Sequence, residues 1–264
     1  MLKFCTQDQA FLPRDLKERF KKVKEMGFYG YEIDGSLLLN NLDEVKAAIK
    51  ETGMPVVSAC GGYRGWIGDF IEERRVNGIE DIEKILEALQ EIGGTGIVVP
   101  AAWGMFTFRL PPMVSPRSLE EDRKAILDSL KILDKKAGET NTVVYLEPLN
   151  RYQDHMINTL ATARGIIEEG GFKNVKIIAD VYHMNIDEDE INQAVVDNQD
   201  LVRHIHVADN HRFQPGSGSI NFKKFFNTLK DINYSGHLVF ECRVRGENLE
   251  EEYKKALDYL KSCE

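Results

Sequence analysis

The 264-residue chain is short of positive charge: 34 Lys and Arg stand against 43 Asp and Glu, a formal balance of −9. Nucleic acid is therefore disfavoured as a main partner, since a phosphate backbone calls for a concentrated basic surface. Cysteine is scarce as well. Cys5, Cys60, Cys242 and Cys263 lie far apart and form no CxxC pair, so the expectation is four reduced thiols in a cytoplasmic protein. No run approaches the ~18 apolar residues of a membrane span. The opening stretch, MLKFCTQDQAFLPRD, holds no apolar core of signal-peptide length. No GxGxxG or GxxxxGK(S/T) fingerprint follows the first strand-like run, which weakens an open nucleotide-binding sheet.

The chain does carry a regular alternation. At 42 % apolar and 29 % charged residues it has ample material for a core. Strands are predicted at 2–6, 29–33, 55–59, 96–100, 142–147, 175–180, 202–206 and 237–241. Helical periods are predicted at 16–26, 42–52, 79–92, 118–137, 159–169, 186–196, 222–231 and 249–260. Gly27, Gly53, Gly93 and Gly170 follow the last periodic residue of four helices and read as left-handed C-caps. Eight strand–helix units over 264 residues give 33 residues per unit. Such alternation implies parallel strands joined by right-handed crossovers. A single closed (β/α)8 TIM barrel spanning 1–264 fits better than a doubly wound sheet. Two long irregular stretches, 61–69 and 103–117, follow strands on the side where barrel sites form, and read as lids or binding walls.

Four successive predicted strands end in a metal-competent residue: VVYLE at Glu147, VKIIAD at Asp180, VRHIHVAD at His206 and HLVFE at Glu241. Their separations of 33, 26 and 35 residues stay close to the unit length. Equivalent positions on neighbouring barrel strands converge at one mouth. Three carboxylates that close would drive one another's pKa upward unless a cation shared them. Three oxygens and one imidazole suit Mn²⁺ foremost, with Co²⁺, Mg²⁺ or Zn²⁺ as alternatives. A lone strand-end carboxylate is often a cap, and a lone strand histidine often a core residue, but four at one register are hard to place by chance. His204 shares the face of His206 and is an alternative ligand; His206 lies nearer the mouth and is preferred.

The stretch YLEPLNRYQ, NT, IIADVYHMN, RHIHVADNHRFQPGSG and LVFEC resembles the sugar isomerase/epimerase branch of the xylose isomerase-like barrels. Within it, the chain is most similar to ketose 3-epimerases of the D-tagatose and D-psicose type. The motifs cover Glu147 to Glu241 and are specific as a set. The resemblance implies that Glu147, Asp180, His206 and Glu241 hold one divalent metal and that Glu147 and Glu241 are the catalytic acid–base pair. It further implies that His183 hydrogen-bonds the substrate near its carbonyl and that Arg212 reaches the sugar oxygens. Gln153 departs from the pattern: the relatives carry Glu there, and the lost charge favours a ketose bearing an acid group.

The expected activity is thus metal-dependent epimerisation of a sugar ketose or keto-acid at carbon 3, through an enediolate stabilised by the metal. The same site would also serve an aldose–ketose isomerase or an inosose dehydratase-like lyase. An endonuclease IV-type nuclease would need further His and Asp ligands. A non-catalytic sugar-binding relative is the remaining class. Homodimers or homotetramers are expected from the resemblance. Trp66 and Trp103, on the two long loops, are candidates to stack on a sugar face or merely to pack the lids. Glu32 and Asp34 either line the pocket or are solvated strand-end residues. The Pro215–Gly218 stretch reads as a plain turn ahead of a phosphate cradle, and Ile186–Glu190 as an acidic first helical turn.

Overall fold

Parallel neighbours cannot be joined by tight turns, and this chain supplies a helical crossover after every strand. The computed structural model describes residues 2–105 and 114–264. Its strands are β1 (Lys3–Thr6), β2 (Gly30–Ile33), β3 (Val56–Cys60), β4 (Gly96–Pro100), β5 (Val143–Glu147), β6 (Val175–Asp180), β7 (Val202–Val207) and β8 (His237–Phe240). They close into one parallel barrel in sequence order, sealed by β1 on β8 with Phe4 opposite Leu238 and Thr6 opposite Phe240. Around it run α1 (Leu16–Glu25), α2 (Gly35–Asn40), α3 (Leu42–Thr52), α4 (Glu72–Ile92), α5 (Leu119–Glu139), α6 (Leu160–Gly170), α7 (Val181–Asp187), α8 (Ile191–Asp197), α9 (Phe222–Asp231) and α10 (Leu249–Ser262). Among the described residues, no helix is long and apolar enough to cross a membrane.

The strand sequences are apolar on both faces because both faces are covered. Val144, Leu146, Ile177, Ala179, Ile205, Val207, Leu238 and Phe240 join the helices in one continuous core. A smaller set (Val98, Tyr145 and Ile178) packs separately from it. Two irregularities matter for the site. Tyr31 pairs with Val56 while Glu32 pairs with Ser58, and Ile177 pairs with Val202 while Ile178 pairs with His204. Each is a one-residue bulge, at Val57 and Arg203, and bulges re-aim the side chains that follow. Here they bring Ser58 level with Glu32, and His204 and His206 level with Ile178 and Asp180.

The helices depart from the sequence expectation at four places. Helix α2 is not among those expected, and α4 begins at Glu72, seven residues ahead of the expected start at 79. The single helix expected over 186–196 is two helices, α7 and α8, split at Glu188, whose backbone is extended. Ile186 and Asp187 end α7, and Glu190 caps α8 by accepting from the Gln193 amide. The acidic stretch is therefore a junction rather than one helical turn. The C-cap of α6 is Gly171, at φ 63°, not Gly170, which is its last helical residue. Gly53 and Gly93 are left-handed C-caps as expected.

The loop 61–71 after β3 is held down by α4. Arg64 grips Asp81 through Nε (2.7 Å) and Nη2 (2.8 Å), and the Arg64 amide donates to the same carboxylate. Gly65 makes the approach possible, for a Cβ there would stand 1.9 Å from the Arg74 carbonyl oxygen. Gly65→Ala should therefore lift this loop off α4, at about 1–3 kcal/mol of overpacking. Urea titration is expected to show the loss of stability, and Trp66 fluorescence should shift with it.

Candidate functional site

The four strand-end residues reach one another by an even stagger. Asp180 and His206 are register partners, but His206 pairs with Val239, so Glu241 stands two residues further along, just past β8. Leu146 pairs with Ile177, so Asp180 likewise lies two residues beyond the level of Glu147. The four are thus not at one register, as the spacing argument had them. A stagger of two keeps every side chain on the same face, and the tilt of barrel strands carries them to one place. Glu147, Asp180, His206 and Glu241 each offer a ligand atom, all within 4.8 Å of one another.

Each side chain is aimed by its own local structure. Asp180 ends β6 and caps α7: Oδ1 accepts from the amides of Tyr182 (2.8 Å) and His183 (3.2 Å), leaving Oδ2 toward the cluster. Nδ1 of His206 lies 2.5 Å from Glu241 Oε2 and 3.8 Å from both Glu147 Oε1 and Asp180 Oδ2. Arg212 bridges Asp180 Oδ2 (2.5 Å) and Glu241 Oε2, so its guanidinium is engaged with carboxylates of the cluster. It holds this place at φ 63°, a left-handed conformation uncommon for a non-glycine residue. Asp209 shapes that loop, accepting from the amides of Asn210, Gly216, Gly218 and Ile220. The Gly216 and Gly218 amides of the 215–218 stretch are thereby turned onto the chain's own carboxylate, and that of Ser217 onto the Gln214 carbonyl, as a plain turn requires.

The electrostatics follow from burial and these neighbours. Burial, reinforced by Glu241, pushes the Glu147 carboxyl well above the usual carboxylate range. Burial would raise Glu241 too, but Arg212 and His206 outweigh it and its pKa is lowered. Burial opposes a proton on His206, yet Glu32 and Glu241 overcome it and the ring's pKa is raised. Glu147 Oε1 is buried without a hydrogen-bond partner among the described residues, while Glu241 Oε2 is met by Arg212 and by Nδ1 of His206. A buried carboxylate oxygen with no donor, set within 4.8 Å of ligand atoms from Asp180, His206 and Glu241, is what a cation-holding donor set presents, and the residues present fit a divalent ion.

The cluster lies against a cavity of about 600 Å³, within the ~300–1,000 Å³ span of small-molecule sites. Glu147, Glu241, His183, Arg212, Gln153, Trp66 and Trp103 all line it, together with Gln7, Asp8, Phe11 and Tyr63. Nδ1 of His183 accepts from the Asn150 amide (3.1 Å) and side chain (2.8 Å), so the neutral ring carries its proton on Nε2. Burial lowers the His183 pKa, in keeping with that neutral form. The Trp66 and Trp103 rings stand 6.5 Å apart, and Trp103 is 56 % exposed. The Gly104 amide donates to the Gln153 carbonyl (2.8 Å), which ties the stretch after β4 to the one after β5. Much of the loop expected over 103–117 lies outside the described residues.

Glu32 and Asp34 separate cleanly. Asp34 is exposed and caps α2 by accepting from the Leu37 amide. Glu32 is buried beneath the cluster and accepts from Nε2 of both His204 and His206, each at 2.8 Å. His204 therefore faces Glu32 and is not part of the four-residue group. Two signals in the sequence mark this arrangement: Glu32 sits inside an otherwise apolar strand, and two histidines alternate on another strand. The cavity-lining Gln7 and Phe11 carried no signal, because only the closed barrel brings the end of β1 to the mouth, whereas Tyr63 lies on the 61–69 stretch expected to form a wall.

Since Glu147 has its pKa raised on folding, its contribution to stability is present at low pH. That contribution is lost as pH rises above the ordinary carboxylate value and through the raised one. In metal-free protein, Glu147→Gln should therefore melt higher than wild type at about pH 8, with the gap closing toward about pH 4. Calorimetry in chelator checks the sign.

The comparisons with known proteins agree with this fold. The family model described as xylose isomerase-like TIM barrel matches residues 20–263. A 3-dehydro-D-guloside 4-epimerase of Escherichia coli is 63 % identical over 262 residues, 99 % of this chain and 100 % of the relative. A D-psicose 3-epimerase of Enterocloster bolteae is 27 % identical over 241 residues, covering 86 % of this chain and 76 % of the relative. The apo crystal structure of a 3-keto-D-glucoside 4-epimerase from E. coli superposes with a TM-score of 0.98 at 62 % identity, over all of both chains. The chain belongs to the xylose isomerase-like TIM barrel family, as an enzyme of its sugar epimerase kind.

Proposed function

We propose that this enzyme inverts a hydroxyl-bearing carbon beside a sugar ketone, with a 3-keto-glycoside inverted at carbon 4 as the favoured substrate. The observation that carries the reading is the gathering of Glu147, Asp180, His206 and Glu241, of which Glu147 and Glu241 line the cavity. The names of the two similar E. coli proteins describe opposite sides of one such reaction, because gluco and gulo sugars oxidised at carbon 3 differ only at carbon 4. Ketose 3-epimerisation is the second reading. It moves the same α-hydroxyketone chemistry one carbon along, and the 27 % identical psicose epimerase supports it.

A divalent cation held by the four residues, Mn²⁺ foremost, would supply positive charge where the ketone gains negative charge. Glu147 and Glu241 are the proposed acid–base pair, one taking the proton from the carbon and the other returning one on the opposite face. His183 presents its Nε2–H as a donor toward the carbonyl side, held in that tautomer by Asn150. Arg212 offsets the carboxylate charge beside the substrate oxygens. Trp66 and Trp103 provide apolar faces for the sugar, while Gln153 offers a neutral hydrogen-bonding group. The whole apparatus is assigned to one barrel domain, 1–264.

Proton NMR in D₂O tests the reading with Mn²⁺-loaded enzyme, a methyl 3-keto-glucoside and a panel of free ketoses. Deuterium entering carbon 4 with appearance of the gulo epimer is expected. Deuterium at carbon 3 of a free ketose would establish the second reading, and an aldose product would move the enzyme to the isomerases. Glu147→Gln and Glu241→Gln should each lower turnover by about 10²–10⁴-fold with the fold intact. Near wild-type rate in either variant rejects the two-carboxylate scheme.

A further inference from the structure

Glu32 is a carboxylate deep inside the barrel, fully buried in its side chain and absent from the cavity lining described above. Both oxygens are saturated with donors from other strands. Oε1 accepts from His206 Nε2 (2.8 Å) and Gln7 Nε2 (2.9 Å), and Oε2 from His204 Nε2 (2.8 Å) and Ser58 Oγ (2.6 Å). A charge so deep is costly unless its hydrogen bonds do something that an apolar residue could not.

An ionised carboxylate only accepts, whereas a neutral imidazole has one donor and one acceptor nitrogen. When a cation takes the place of the second proton on His206, the contact with Glu32 keeps the remaining one on Nε2. The lone pair is left on Nδ1, which faces Glu147, Asp180 and Glu241. We propose that Glu32 is a positioning residue that fixes the ring orientation and tautomer of His206, and so sets the affinity of the cluster for its cation. The inference rests on the cation-binding reading of that cluster. His204 serves differently: it stacks on Tyr145 at 4.8 Å and 20° and supplies a donor to the far oxygen of Glu32. Its own Nδ1 lies outside the four-residue cluster. The bulges at Val57 and Arg203 fit this purpose, since they bring Ser58 and the two histidines level with their partners.

Glu32→Gln is a discriminating change. An amide offers an acceptor oxygen on one side and an NH2 donor on the other, so it cannot accept from both histidines as the two carboxylate oxygens do. It also removes the negative charge that makes His206 a stronger ligand. Cobalt(II) titration, followed by the visible absorption of the bound ion, should show about 10–100-fold weaker binding in E32Q, with an altered spectrum. His204→Phe keeps a ring against Tyr145 and should bind cobalt as wild type does. Wild-type affinity and spectrum in E32Q, or equal weakening in H204F, would overturn the proposal by making the network one of packing alone. Should E32Q not fold, wild-type protein loaded with ¹¹³Cd answers the same question by NMR. Coupling of the metal to Nδ1 of His206, with the proton on Nε2, supports the proposal, and coupling to Nε2 rejects it. Failure of wild type to bind either metal would instead reject the cation-binding reading itself.

Discussion

Three carboxylates crowded into a buried barrel mouth repel one another, and that repulsion organises the structure around them. Glu147, Asp180 and Glu241 lie close enough for like charge to force protons onto the group or to require positive charge beside it. The chain brings two such groups of its own. Arg212 spans Asp180 and Glu241, and His206 turns Nδ1 toward all three carboxylates. A divalent cation is the further partner that the donor set fits. The left-handed Arg212, the loop gathered around Asp209 and the capping role of Asp180 are then parts of one solution, which holds charges where they balance.

Behind the cluster stands a second layer of restraint. Glu32 ties β2 to β7 through both histidines, to β3 through Ser58 and to the residue after β1 through Gln7. In front, the cavity walls are braced from outside the barrel. Arg117 reaches Asp122 (2.8 Å) and the carbonyls of Gly68 and Asp69, while His155 meets the other oxygen of Asp122 at 2.9 Å. The loops after β3 and β5 and the start of α5 are thus locked to one another. Rigid support on both sides suits a chemistry that depends on where a proton is delivered.

The fold admits many reactions, and what narrows them is the site. Proton abstraction beside a ketone is common to ketose 3-epimerisation and to inversion of a 3-keto-glycoside at carbon 4. The two differ in which carbon is presented to the acid–base pair. That choice belongs to the cavity walls, where Gln153, Trp66, Trp103 and the residues after β1 meet the rest of the sugar.

By itself, the sequence determined the eight-unit barrel, because helical and strand periods alternate without interruption and each strand is apolar enough to be buried on both faces. It also marked Glu147, Asp180, His206 and Glu241, since ionisable residues ending consecutive strands converge wherever the barrel closes. Tertiary structure alone decided the rest. The register stagger, the two bulges and the division between His204 and His206 depend on hydrogen-bond pairing between strands, which no local pattern encodes. Glu32 and Asp34, two residues apart on one segment, looked alike in sequence. One is buried beneath the site and the other is an exposed helix cap, because a strand that enters a closed barrel turns its inward side chains into the interior and releases its end to solvent.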